Sequence, residues 1–177
     1  MPGTLPVPLT CEIPEGWEAA PPEEVGAPQA AFVALHSASR GSGFMPNITV
    51  TGTVREDGAS LHRVADESVQ RLQETVGPVT LVKRTDVGTH FKPSLIDAPG
   101  VVQNLRIAAN VNGQPEQLAQ SQLILLLEDP DQPRRLAEIE IALTARFDQL
   151  QDVLDDFQEF LRTVRPAGRS DVGKGGG

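Results

Sequence analysis

The stretch "GVVQNLRIAANVNGQPEQLAQSQLILLLE", Gly100 to Glu128, decides how this chain folds. Its two runs, Gly100–Val111 and Glu116–Glu128, are rich in aliphatic residues and bounded by turn formers, the pattern of β-strands. Between them "VNGQP" carries Asn-Gly, which tolerates the positive φ angles that a tight β-turn demands. The reading is an antiparallel hairpin. "VTLVKRTDVG" (Val79–Gly88) before it and "RLAEIEIALTA" (Arg135–Ala145) after it have the same strand-like composition, so the hairpin extends into a meander. The connection "THFKPSLIDAP" (Thr89–Pro99) holds two prolines and reads as an irregular excursion. Leu123 to Leu127, the longest apolar run, is strand-sized and far short of the ~18 residues of a membrane span.

On either side of the meander the period changes. In "GASLHRVADESVQRLQETVG" the residues Leu61, Val64, Ala65, Ser68, Leu72 and Val76 recur every three or four positions, with Ser60 as N-cap and Gly77 as stop, which predicts an amphipathic helix. "FDQLQDVLDDFQEFLRTVRP" puts Phe147, Leu150, Leu154, Phe157, Leu161 and Val164 on one stripe and ends at Pro166, predicting a second helix. Nearer the N-terminus, "APQAAFVALHSA" (Ala27–Ala38) and "NITVTGTVRE" (Asn47–Glu56) are β-rich and separated by the Gly- and Pro-containing "SRGSGFMPN", a hairpin or bulged meander. "LTCEIPEGW" alternates Leu9, Cys11 and Ile13 inward against Thr10 and Glu12 outward, breaks at Pro14 and turns at Gly16. The sum is an α+β chain: a central antiparallel sheet with an internal helix and a C-terminal helix packed on it, as a single domain over residues 1–166. Residues 167–177 form a Gly-rich segment expected to be a disordered tail.

Composition excludes several classes of function. The formal net charge is −9, and the first base, Arg40, follows Glu12, Glu15, Glu18, Glu23 and Glu24, so the chain does not suit nucleic acid. A single Cys, Cys11, cannot form an internal disulfide and reads as a small strand residue. Met1 to Thr10 contains no Lys or Arg and three prolines, unlike a secretion signal, which leads to the expectation of a cytoplasmic protein.

Catalytic and cofactor motifs fail on their chemistry. "GRSDVGKG" (Gly168–Gly175) matches a phosphate-cradling loop in letters but lacks the following Ser/Thr and the helix it must open. "RGSGF" (Arg40–Phe44) joins two strands instead of opening a helix. His36, His62 and His90 lack metal-ligand spacing, and Asp152, Asp155, Asp156 and Glu159 read as a solvated helix face. There is no G-x-S-x-G, and no Ser or Cys has a general base in sequence reach. The expectation is a chain that is not an enzyme and has no cofactor and no metal.

The order of motifs resembles a known family. "IPEGW" (Ile13–Trp17) closing an early strand, "NITV" (Asn47–Val50), a following helix, "QSQLILLLE" within an antiparallel stretch and "LTARFDQLQDVLDDFQEFLRTVRP" at the end are similar to the PsbP-like superfamily. Within it the chain most resembles the LpqN/LpqT-type actinobacterial lipoproteins, with DcrB-type proteins as cousins, but without the lipoprotein signal. The resemblance spans roughly Leu5 to Pro166 and implies an α/β/α-like sandwich. Members of that superfamily are mostly non-enzymatic and bind other proteins, which implies a non-catalytic protein-binding or adaptor role. One form of it is a secretion- or effector-associated chaperone, binding another protein through an apolar sheet face; the rival is a domain binding a small apolar ligand or lipid in the sheet–helix crevice. Trp17, Phe32 and Phe44 are the candidate partner-binding residues. For Trp17 the competing reading is a ring packed over the sheet edge. "AAFVAL" (Ala30–Leu35) and "LILLL" (Leu123–Leu127) could supply the apolar face but read first as core.

Overall fold

The computed structural model describes residues 5–25, 27–88, 93–94, 96–129 and 132–167. At the hairpin that organises it, Asn112 has φ 53° and Gly113 φ 81°, and Val111 pairs directly with Gln114. Both central residues lie in the left-handed region, so the turn twists with its strands instead of splaying them. The strands it joins are β6 (Gly100–Val111) and β7 (Gln114–Asp129), and β7 returns antiparallel into β8 (Gln132–Arg146).

Around this meander the remaining strands are β1 (Leu9–Thr10), β2 (Trp17–Ala19), β3 (Phe32–His36), β4 (Asn47–Arg55), β5 (Val79–Val87) and β9 (Arg165–Pro166). Of the nine described strands, seven form one sheet in the order β2-β3-β4-β8-β7-β6-β5, with every neighbouring pair antiparallel. Alternation along that order leaves β4 and β5 pointing the same way at a distance of several strands. Helix α1 (Leu61–Thr75) makes that crossing on one face of the sheet, and α2 (Phe147–Thr163) follows β8 on the other. The α+β architecture expected from the pattern, and the sandwich-like layering that the resemblance implies, are thus present.

The helix ends have identifiable causes. The Ser60 side chain accepts a hydrogen bond from the Arg63 backbone N–H at 3.2 Å, the N-cap its position predicts. The far end stops at Gly77, though by close approach and not by a left-handed cap. A Cβ built there would lie 2.0 Å from the Ala108 carbonyl oxygen, so only glycine lets the chain pass that close to β6.

Three expectations need correction. The strand anticipated over Leu9–Ile13 is only two residues long, and it pairs with β9 instead of joining the main sheet. Cys11 and Ile13 are exposed, Ile13 by 40 %. Pro6, Pro8 and Pro14 supply no backbone donors, so an extended segment there cannot sustain a ladder. The second correction concerns α2. Its buried line runs through Gln149, Val153, Phe157, Phe160 and Leu161, so the core face is turned away from Phe147, which is 41 % exposed, while Leu150 and Leu154 are half-buried. Val76, expected on the inner face of α1, is exposed.

The largest core cluster lies under α2 and joins Ile48, Val50, Leu123, Leu125, Ile139, Ile141 and Leu143 with Val153, Phe157 and Phe160. Trp17 belongs to it at 6 % exposure. Its indole N–H donates to Asp156 Oδ2 at 2.9 Å, and its ring meets His36 at 5.0 Å between centroids. Asp156, read from sequence as part of a solvated face, is therefore the acceptor that lets a tryptophan be buried at the sheet edge. Trp17→Ala is expected to lower the free energy of unfolding by about 3–5 kcal/mol. Trp17→Phe, which keeps a ring but leaves Asp156 without its donor, is expected to cost about 1–2 kcal/mol. Urea unfolding measures both, and an unmoved midpoint for Trp17→Ala rejects the packing role. Gly77→Ala is expected to destabilise by about 1–3 kcal/mol through the clash with β6, read from the same curves.

Candidate functional site

The two helices sit on opposite faces and over different strands. α1 rests on β5, β6 and β7, whereas α2 rests on β7 and β8. Each face is therefore covered at one end and open at the other, and the two open regions differ in chemistry.

On the α1 face the open region lies over β4 and β8. Side chains alternate along these strands, sending Thr49, Thr51 and Thr53 from β4 and Glu138, Glu140 and Thr144 from β8 to this side. The register sets Thr51 beside Glu140 and Thr53 beside Glu138. With Ser68, Arg71, Leu72 and Thr75 of α1 as a wall, the three threonines of β4 and the two glutamates of β8 line a cleft of about 550 Å³.

The cleft floor is held by a hydrogen-bonded chain. Arg84 Nε donates to Gln103 Oε1 at 2.9 Å; Gln103 Nε2 donates to Gln122 Oε1 at 2.7 Å and to the Ala65 carbonyl at 3.1 Å. Gln122 in turn donates to Gln120, and Gln120 Nε2 donates to Thr144 Oγ1 at 2.8 Å. Gln103 and Gln122 are fully buried, so this pairing offsets the cost of removing their amides from water. The Ser68 hydroxyl lies within reach of both Gln122 Oε1 and Glu140 Oε1; it has one proton, and the carboxylate is the nearer acceptor.

At the cleft's end Arg55 is shared among three carboxylates. Its guanidinium is 2.8 Å from Asp57 and 2.8 Å from Glu67, but 3.5 Å from Glu138. The hydrogen bonds from Arg55 hold the carboxyls of Asp57 and Glu67 below their ordinary range. Glu138 behaves oppositely. It is 7 % exposed, and burial pushes its pKa up despite the attraction of Arg55 and Arg71, with Glu140 adding repulsion. Cys11 sits in none of this, and partial desolvation raises its thiol pKa away from nucleophilic character. Among the described residues no group of three or more His, Cys, Asp or Glu is placed to hold a metal ion.

The second open region, on the α2 face, is an apolar groove of about 620 Å³ between α2, the edge strand β5 and its neighbour β6. Val82, 62 % exposed beside the bulge in β5, and Val102 form its floor; Phe147, Leu150 and Leu154 form its wall. Arg106 stands 5.0 Å over the Phe147 ring, and Lys83 lies on the same lining.

Of the residues singled out in the sequence, Trp17 and Phe32 lie against the large core, Phe32 half-buried and stacked on Phe160 at 6.1 Å. Phe44 is half-buried against the separate cluster of Leu105, Ile107 and Leu118. The three rings do not share one lining with the groove. His36 contacts Ser39 at 2.6 Å and His62 contacts Asp86 at 2.8 Å; His90 and the segment from Gly168 onward lie outside the described residues. The groove residues carried one signal in the sequence, the apolar stripe of α2; Val82 carried none, because a single valine in a strand is ordinary. The cleft's signal was the alternation of Thr in "NITVTGTVRE" and of Glu in "RLAEIEIALTA", which marks one polar face per strand without saying that the two faces adjoin.

No family model matches the chain, and no curated protein matches it either. Solved structures do. LpqN of Mycobacterium tuberculosis, involved in cell envelope biogenesis, is 12 % identical with a TM-score of 0.61, covering 90 % of this chain and 84 % of that one. Cyanobacterial PsbP from Synechocystis is 12 % identical with a TM-score of 0.53, covering 90 % and 93 %. PA94, a Pseudomonas aeruginosa protein of unknown function, is 13 % identical with a TM-score of 0.50, covering 93 % and 85 %. The chain has the PsbP-like fold, shared with LpqN, and the likeness at this identity is one of fold. No described helix is long and apolar enough to cross a membrane.

The strained carboxylate yields a test. A folded-state pKa raised above the unfolded value means that protonated Glu138 favours the fold; that contribution is present below the unfolded pKa and is lost as pH rises through the folded one. Glu138→Gln, which mimics the protonated acid, is expected to raise the melting temperature near neutral pH, with the gain shrinking toward about pH 4. Asp57 and Glu67 lose their stabilisation in the same acid range in both proteins, so the difference between variant and parent isolates Glu138. A variant less stable than the parent at neutral pH would show that Arg55 more than compensates the burial.

Proposed function

We propose that this protein is a non-catalytic accessory protein that receives an amphipathic, acid-bearing helix of another polypeptide in the groove between α2 and β5. The observation that carries this reading is the apolar lining made by exposed Val82 and Phe147 with half-buried Leu150 and Leu154 on the uncovered end of the α2 face. Buried strands normally have that surface covered, and a helix laid beside α2 over β6 and β5 would complete the layer. Its diameter of about 10 Å matches the width left by two strands about 4.8 Å apart and the edge beyond them.

Charge selects the helix. The protein carries a net −9, yet the groove presents Lys83 and Arg106, so a partner with carboxylates flanking its apolar stripe is attracted to this end and repelled elsewhere. The adaptor role and its chaperone form both fit such a site, and the PsbP-like fold is compatible with either. A small apolar ligand or lipid is the competing occupant.

The test uses a photo-crosslinking residue at Val82 or Gln158 in the groove, or at the exposed Gln151 on α2 as a control, in cells that make the protein. A polypeptide adduct formed from Val82 and Gln158 but not Gln151, and lost in Leu150→Glu, is the expected result. Native mass spectrometry of the purified chain decides the alternative. A retained small apolar ligand, or adducts independent of position, overturns the helix reading.

A further inference from the structure

A helix of the kind that suits the groove is present in this chain itself. An α-helix turns about 100° per residue, so with Val153 of α2 buried against its own sheet, Leu154 lies on the groove side and Asp155 points away from the sheet. Phe147, Leu150 and Leu154, spaced i, i+3 and i+7, form one apolar stripe along that flank. Asp148, Gln151 and Asp155 are exposed on the outward side beside it, which Arg162 joins only in the last turn. The wall of the groove is therefore also the kind of surface the groove admits: an apolar stripe bordered by carboxylates.

The floor has the opposite charge. β6 contributes Val102, Asn104 and Arg106, and the register sets Thr85 of β5 beside Val102 and Lys83 beside Asn104. Lys83 and Arg106 are both exposed, and among the described residues no acid lines the groove, although the chain carries a net −9. Arg106, over the Phe147 ring, stands at the N-terminal end of α2. A second α2 lying antiparallel beside the first, with a two-fold axis at the middle of the stripe, brings its own C-terminal half to that end. Its Asp155 then comes over Lys83 and Arg106, and its stripe meets the stripe already there.

We propose that the groove receives a second copy of this chain: two copies meet with their α2 faces together, each laying α2 over β5 and β6 of the other. This rests on the helix reading above and names its partner. The contact is isologous, so every pairing is made twice and the surface closes as a dimer. A 17-residue helix is about 25 Å long and about 10 Å wide. Two helix-on-sheet contacts and one helix-on-helix contact of that size bury on the order of 1,500 Å² over both chains, the area of a specific interface. Repulsion between the two acidic chains decays over about 8 Å at physiological ionic strength, whereas the acid–base pairs lie in contact.

Sedimentation equilibrium of the full chain tests this, with Lys83→Glu and Asp155→Lys as variants at exposed positions. The parent is expected to dimerise reversibly, and each variant alone to associate about tenfold or more weakly, because each sets like charges together twice. An equimolar mixture of the two variants is expected to regain the parent's association, since in the mixed dimer both pairs are again attractive. A parent chain that stays monomeric up to about 100 μM overturns the proposal, as weaker association than that is not specific. A dimer indifferent to both variants places the interface elsewhere and overturns it too, as does a mixture that stays as weak as its components. These failures leave the helix reading standing where crosslinking from Val82 still captures a polypeptide of another mass. A monomeric chain that retains an apolar ligand defeats both.

Discussion

A sheet of seven strands, each about 4.8 Å from the next, is close to 30 Å wide, and a helix covers only about 10 Å of it. This mismatch governs the molecule. One helix per face cannot hide both faces, and the chain offsets the two, α1 over β5 to β7 and α2 over β7 and β8. The strand they share, β7, is accordingly apolar on both sides from Leu123 to Leu126, all four of which are buried. On the other strands part of at least one side lies beyond the helices, and there the surface must be polar or must find another partner.

The two uncovered ends resolve that demand in opposite ways. Over β4 and β8 the exposed side is built from threonine and glutamate, tied by the Gln103–Gln122–Gln120–Thr144 chain into a preorganised polar floor. Over β5 and β6 the exposed side retains valines and meets the apolar flank of α2. A floor of hydrogen-bonded amides has low entropy and fixed direction, and its groups satisfy one another. An apolar groove has neither direction nor fixed acceptors, which suits a broad helical surface.

Much of this was legible beforehand because it is local. Asn112-Gly113 imposed its turn, Ser60 capped α1, and the period-2 and period-3.6 patterns located β4 to β8 and both helices. The misreadings were local too, but with nonlocal answers. Leu9, Cys11 and Ile13 alternate like a strand, yet the prolines around them deny a ladder, and the segment ends on β9. The stripe of α2 was read one edge off centre, since periodicity defines a wide apolar arc and only the sheet beneath it selects Val153 and Phe160 as its middle.

What the sequence by itself determined is the inventory: which segments are strands and helices, which side of each is polar, and that the sum is α+β, since backbone periodicity and turn chemistry act between residues a few positions apart. Only the tertiary structure decided that β4 lies against β8 and that each helix stops half-way across the sheet. Those facts juxtapose Thr51 with Glu140 and leave Val82 facing Phe147 across an open groove. The physical reason is that strand order and helix placement are settled by burial summed over the whole chain, a quantity no short window contains.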